Sequence, residues 1–334
     1  MRSIIGRALC ALLLLATEEP AHATGLSVNG RPFHVRLPPG YSPGVPAPLI
    51  ILLHGIGASG SSQDMYMQIG DVAADRGMIF VLPDGTRSGI GMQYWNGAGC
   101  CQVTGTPVDD VGYIAMIIDE VGRRFSVDPK RIFVVGHSNG GFMTHRFACE
   151  KVQAAAIVTL AGMVNPKSAG PYGGPCPAEG RPVSVLHVHG TADNLVYYNG
   201  LLATSPPLPG GLLFPSAVQT VEFWAKRNRC AIPARTERAL PDLDIEAKIP
   251  GPDTTRIRYA GCPAGGAVEL WTINQPWHDL PTNELRAHVP TFYRYPDAGE
   301  TFAWTGRPVD AGLYSPDRAF AKLVVDWLMA HPKP

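Results

Sequence analysis

Apolar residues along this chain fall into two kinds of run. Short, almost unbroken stretches recur at 47–55 (APLIILLHG), 78–85 (MIFVLPDG), 131–138 (RIFVVGHS), 154–162 (AAAIVTLAG) and 182–190 (PVSVLHVHG). Between and after them lie amphipathic segments of helical character at 62–76, 109–125, 140–150, 216–228 and 315–331, the last with Ser315 as its N-cap. Strands apolar on both faces that alternate with amphipathic helices belong to a mainly parallel sheet covered on both sides. The pattern predicts one α/β domain. Ahead of it, "TGLSVNGRPFHVRLPPGY" predicts an N-terminal β-hairpin turning at Asn29-Gly30.

Two stretches interrupt the alternation. Residues 86–107 are glycine-rich and hold the adjacent Cys100 and Cys101; residues 281–314 are rich in proline, aromatics and glycine. Both exceed ordinary connections and are expected to be ordered functional loops, 281–314 as a long loop or lid-like insertion. No repeat or linker divides residues 24–334.

Composition narrows the class without changing this picture. The chain has 334 residues, with 28 basic and 28 acidic side chains. That balance offers no basic field for nucleic acid or an anionic membrane. Residues 1–23 read as an export signal: Arg2 and Arg7, then "ALCALLLLA", then Ala21-His22-Ala23 as a small-x-small cleavage site. The apolar run is too short to span a bilayer, so a secreted or periplasmic protein is expected. Six cysteines follow the signal, without the paired spacing of a zinc site. In an exported chain they favour disulfides. They allow 15 pairings, 12 if the adjacent pair is set aside; Cys230 with Cys262 is favoured, since each ends a predicted element in one local region.

The chemistry centres on Gly136-His137-Ser138-Asn139-Gly140, where an apolar strand meets a helix. G-x-S-x-G at that junction is a nucleophile elbow, which pushes the serine Oγ into the open at the helix N-terminus. A serine needs a base, and the base needs an orienting acid. In chain order after Ser138 the best acid is Asp193, just past the strand at 182–190; its alternative is an aspartate that caps its own turn. The best base is His278 in "VELWTINQPWHDLP", after another strand-like run. The backbone N–H of Asn139 and one from "LLHGIGASG", chosen as Ile56, would form the oxyanion hole. His54 in that loop reads as an organiser. Trp95, Trp277, Tyr197 and Met143 could line an acyl site or belong to the core. No H-E-x-x-H, phosphate loop or dinucleotide fingerprint occurs, so neither metal nor cofactor is expected.

"LLHGIGASGSSQD", "YWNGAGCC", the segment from "VDDVGYIAMIIDEVGRRFSVDPKR" through the elbow to "FMTHRFACE", "VLHVHGTADNLVYYNG", "FWAKRNRC" and "VELWTI…WHDLP" together resemble the secreted polyhydroxybutyrate depolymerase and feruloyl esterase family, over roughly 26–280. The resemblance implies an α/β-hydrolase fold, a Ser138–Asp193–His278 triad and an oxyanion loop at "LHG". It further implies hydrolysis of hydroxyalkanoate oligoesters or feruloyl-type esters. Here the run 275–281, "QPWHDLP", departs from the family's glycine-rich lead into its histidine and tryptophan-proline after it, which alters the pocket wall. The readings that compete are an acyltransferase or peptidase on the same scaffold, and an exported binding protein without catalysis.

Overall fold

The computed structural model describes residues 23–98, 100, 108–165, 176–201, 214–232, 235–238, 254–274, 291–294, 302–305 and 318–334. The export signal before Ala23 lies outside them, as do Cys101, Trp277 and His278. β1 (Ala23–Val28) and β2 (Arg31–Arg36) form the expected hairpin, turning at Asn29 and Gly30 with φ of 49° and 75°. Two positive φ values suit a tight turn between twisted strands.

Six parallel strands make the centre of the sheet: β3 (Ala47–Leu53), β4 (Ile79–Pro83), β7 (Val127–His137), β8 (Ala156–Leu160), β9 (Ser184–Gly190) and β12 (Val268–Ile273), in the order β4-β3-β7-β8-β9-β12. The hairpin adds antiparallel strands beside β4; β11 (Thr254–Arg258) and β10 (Arg235–Arg238) add two more beside β12, giving ten strands. Two small ribbons stand apart: β5 (Thr86–Arg87) with β6 (Gln93–Tyr94), and β13 (Thr291–Arg294) with β14 (Phe302–Thr305). The latter comprises the described residues of 281–314. The strands β10 and β11 were not expected from the apolar pattern, because their sequences RTER and TTRIR are short and charged; β10 is the edge of the sheet.

Period-two alternation sends the strand side chains to two cores. Leu49, Ile51, Leu53, Val134 and Val185 join the core beneath α3 (Asp110–Arg124), α4 (Asn139–Glu150) and α5 (Ala217–Arg227). Ile50, Leu52, Phe133, Val135 and Val188 join the opposite core, beneath α2 (Ile69–Asp75) and α6 (Ala319–Met329). Each such buried side chain contributes about 1.5–3 kcal/mol of burial free energy.

One helix expectation is corrected. The segment 62–76 is two helices, α1 (Gly60–Met67) and α2, separated by Gln68 at φ 56°. Asp64 causes the break: its Oδ1 accepts from Gly70 N at 2.7 Å and its Oδ2 pairs with Arg36 at 2.8 Å, which pins the start of α2 off the axis of α1. The last helix is described from Ala319, behind Arg318, itself left-handed at φ 51°; Ser315 lies outside the described residues. Two disulfides between described residues tie the periphery. Cys230–Cys262 is the favoured pair, and Cys149–Cys176 joins α4 to the segment before β9.

Candidate active site

The turn between β7 and α4 shows what the two glycines of the elbow do. A Cβ on Gly136 would stand 2.2 Å from Gly140 O and 2.4 Å from Thr144 Oγ1; one on Gly140 would stand 2.2 Å from Leu53 O. Strand, helix and the end of β3 therefore approach to backbone contact. Between the glycines, Ser138 is held at φ 52°, ψ −120°. A non-glycine residue there costs about 1–3 kcal/mol, sustained by the packing around it. Its N–H donates to Leu160 O at 2.8 Å, anchoring the turn to the end of β8.

The loop after β3 lies against this elbow: a Cβ on Gly55 would be 3.5 Å from both Ser138 Cβ and His137 Nδ1. Its amides are already assigned, with one exception. Gly55 N donates to Gln63 Oε1 at 2.8 Å, Gly57 N to Gln93 O at 2.8 Å and Ala58 N to Gly55 O at 3.2 Å. Ile56 N–H donates to no described residue. Asn139 N–H opens α4, where a helix supplies no acceptor. These are the two donors the sequence nominated.

Three side chains hold that geometry. His54 is wholly buried and accepts from Gly85 N at Nε2 (2.8 Å), so its proton sits on Nδ1 and donates to Gly55 O (2.7 Å). Burial pushes its pKa below the usual histidine value. The Asn139 side chain makes a paired contact with the Trp95 backbone, accepting from Trp95 N at 2.6 Å and donating to Trp95 O at 2.8 Å. The Trp95 indole N–H donates to His54 O at 3.0 Å. Trp95 thus bridges loop and helix from within the core. It is 0% exposed, as is Met143, whereas Tyr197 is 39% exposed near the rim.

Asp193 follows β9 and is 4% exposed. Oδ1 accepts from Leu195 N at 2.9 Å and Val196 N at 2.8 Å, while Oδ2 lies 3.1 Å from His189 Nε2. It caps its own turn and is fixed at the carboxyl-end rim of the sheet. β12 pairs with β9 up to Ile273↔Gly190, and Thr191 N donates to Ile273 O at 2.9 Å. The chain thus leaves β12 beside the Asp193 turn, five positions before His278. Loop 54–57, Ser138 and Asp193 follow the carboxyl ends of β3, β7 and β9, where α/β sheets carry their sites. Among the described residues no cluster of His, Cys, Asp and Glu could hold a metal ion, and no helix is long and apolar enough to cross a membrane.

Comparison with known proteins agrees with this layout. The sequence profile of the prolyl oligopeptidase family matches residues 65–168, which include the elbow. Feruloyl esterase B of Piromyces equi is 34% identical over 246 residues, 73% of this chain and 42% of that protein. A putative esterase, NocK, of Nocardia uniformis subsp. tsuyamanensis is 26% identical over 306 residues, covering 86% of this chain and 77% of that protein. Among solved structures, an acetyl xylan esterase from Aspergillus awamori superposes with a TM-score of 0.52 over 78% of this chain and 96% of its own, at 14% identity. The chain spans under half of the Piromyces protein and 22% of a Neocallimastix patriciarum acetylxylan esterase/xylanase that it also matches.

The fold and the elbow together define an α/β-hydrolase. Within that fold the chain is similar to proteins named feruloyl esterase over parts of their length.

The sequence reading passed over the side chains that organise this site. Gln63 and Asn139 act through side-chain amides on the loop and on Trp95, and Thr159, His145 and Trp224 meet behind Asp193. Their only sequence signal was polarity at positions the helix and strand patterns bury.

Proposed function

We propose that this protein is an exported serine carboxylic-ester hydrolase. The observation that supports the reading is Ser138 at φ 52° on the β7–α4 turn, with the loop after β3 packed against it at Gly55 and Asp193 on the same rim. His278, oriented by Asp193, takes the Ser138 proton as Oγ attacks the ester carbonyl. The Ile56 and Asn139 amides hold the oxyanion, and collapse of the tetrahedral species breaks the carbonyl–alkoxy bond as His278 protonates the departing alcohol. Water, deprotonated by His278, then attacks the acyl-serine and releases the acid with Ser138 restored.

Similarity to proteins named feruloyl esterase favours esters of an aromatic acid over hydroxyalkanoate oligoesters. The prolyl oligopeptidase match supports amide cleavage as the second reading. Two disulfides fit an oxidising compartment and the export signal at 1–23. The test is turnover of methyl ferulate, p-nitrophenyl butyrate, a hydroxybutyrate trimer and a prolyl anilide by the protein and by Ser138→Ala. Ester turnover lost in the variant is expected, with methyl ferulate preferred. Anilide cleavage without ester cleavage selects the peptidase, and equal turnover by the variant overturns both.

A further inference from the structure

Behind Asp193, five buried side chains form one continuous run of hydrogen bonds across the face of the sheet that α4 and α5 cover. Thr159 on β8 and His187 on β9 are register partners, so their side chains stand side by side on that face. His189 follows two residues along β9 on the same side. His145 reaches down from α4 and Trp224 from α5. The links are Trp224 Nε1 to His145 Nδ1 (3.0 Å), His145 Nε2 to Thr159 Oγ1 (3.1 Å), Thr159 Oγ1 to His187 Nδ1 (2.8 Å), and His187 Nε2 to His189 Nδ1 (3.1 Å). His189 Nε2 closes the run on Val196 O (2.7 Å), and the same nitrogen stands 3.1 Å from Asp193 Oδ2. All five are at most 1% exposed.

Donor and acceptor rules give the run a single direction. An indole N–H only donates, so His145 Nδ1 is an acceptor and its proton is on Nε2. Gly162 O, which only accepts, faces that same nitrogen at 3.1 Å and requires the same tautomer. The single Nε2–H is shared between Gly162 O and Thr159 Oγ1, so the Thr159 hydroxyl cannot donate back to that nitrogen and donates onward to His187 Nδ1. The His187 proton is then on Nε2 and points at His189 Nδ1, which leaves the His189 proton on Nε2. Val196 O, a pure acceptor at the far end, independently demands that outcome. Burial acts the same way on two members, holding His145 neutral with a pKa of about 3 and pushing His187 far below the usual value.

We propose that this one-way run is a positioning device for Asp193, with His189 as the positioning residue that acts on it; the proposal rests on reading Asp193 as the triad acid. An imidazole beside a carboxylate can offer a proton or a lone pair. The run permits only the proton, because the other tautomer would set lone pair against oxygen at both Asp193 and Val196. Leu195 N and Val196 N donate to Oδ1, and the protonated His189 Nε2 stands 3.1 Å from Oδ2 on the other side, so the plane of the carboxylate is fixed from both oxygens. A carboxylate held in one plane presents a fixed acceptor direction to a triad base. A misaimed acid lowers the rate of the chemical step without weakening ground-state binding.

The first test needs no variant. Long-range nitrogen–proton NMR on histidine-labelled protein should show three buried histidines as neutral Nε2–H tautomers at pH 7. A buried Nδ1–H tautomer at His189 overturns the proposal. The second is kinetic. His189→Phe should lower kcat on p-nitrophenyl butyrate on the order of tenfold to a hundredfold, the effect of one lost orienting bond, with KM within about twofold. His189→Gln, whose amide reaches the same point, should recover most of that loss, and Thr159→Val should show a smaller fall. In an Asp193→Ala background His189→Phe should cost nothing further. A folded His189→Phe with unchanged kcat, or the same fold loss with and without Asp193, overturns the positioning role alone. Full activity of Asp193→Ala instead overturns the triad reading, and the proposal with it.

Discussion

Adding a single methyl group at Gly140 should disable this protein, while the same change at Gly122 should strengthen it. The Cβ of an alanine at 140 would lie 2.2 Å from Leu53 O and 2.6 Å from His54 O, both backbone atoms. Carbon and carbonyl oxygen approach no closer than about 3.3 Å without strain, so α4 must retreat from β3 by about 1 Å. That displacement separates the Asn139 and Ile56 amides, which stand on the two elements forced apart. Overpacking of this kind costs about 1–3 kcal/mol of stability, and a 1 Å misplacement costs about a hundredfold in rate. Gly122, inside α3, has open space around its Cβ position, and alanine there should gain about 0.5–1 kcal/mol from helix propensity. The assay is kcat on p-nitrophenyl butyrate beside urea unfolding for both variants. Wild-type kcat and stability in Gly140→Ala would refute the argument that elbow and oxyanion loop meet at backbone contact.

Other outcomes follow from the same structure. Asn139→Ala leaves the backbone donor in place but strips Trp95 N and O of their partners in a fully buried position. It should cost about 2–3 kcal/mol in urea unfolding and slow turnover as Trp95 loosens. Replacing Cys230 and Cys262 together by serine should cost about 3.7 kcal/mol, and Cys149 with Cys176 about 3.5 kcal/mol, from loops of 32 and 27 residues. An unchanged urea midpoint would contradict either figure. Acidification should destabilise the fold through buried His145 and His187. Their folded pKa values lie below the unfolded 6.5, so the unfolded chain binds more protons, and stability present above pH 6.5 is lost as pH falls towards 3. His145 alone should account for about 2 kcal/mol between pH 7 and 5, read by urea unfolding at each pH. A flat profile over that range would contradict the neutral buried assignment.

What could be read from the chain and what could not divide along physical lines. Strands β3, β4, β7, β8 and β9 were legible because each is a short apolar run bounded by glycine, proline or charge, and burial on both faces leaves no other reading. Ser138 was legible because the elbow is local: two glycines and a serine must sit within five residues for the turn to close. The split at Gln68 was not, because its cause is a carboxylate bound to Arg36 on a neighbouring strand. β10 and β11 were invisible for the opposite reason: RTER and TTRIR are short and charged, so they show no apolar run. His187 and His189 stood out in "HVH", yet their partners lie 28 residues back on β8, 42 back on α4 and 37 ahead on α5. Sheet register and helix packing alone bring them together.

The account's central claim is that Ser138 is an activated nucleophile. The most direct measurement is peptide mass spectrometry after exposure to a fluorophosphonate, which reacts only with an activated serine and stays bound. The account predicts one phosphonyl adduct, on Ser138, that is absent from Ser138→Ala and forms far more slowly in His278→Ala. No adduct, or one on another residue that survives Ser138→Ala, would contradict it.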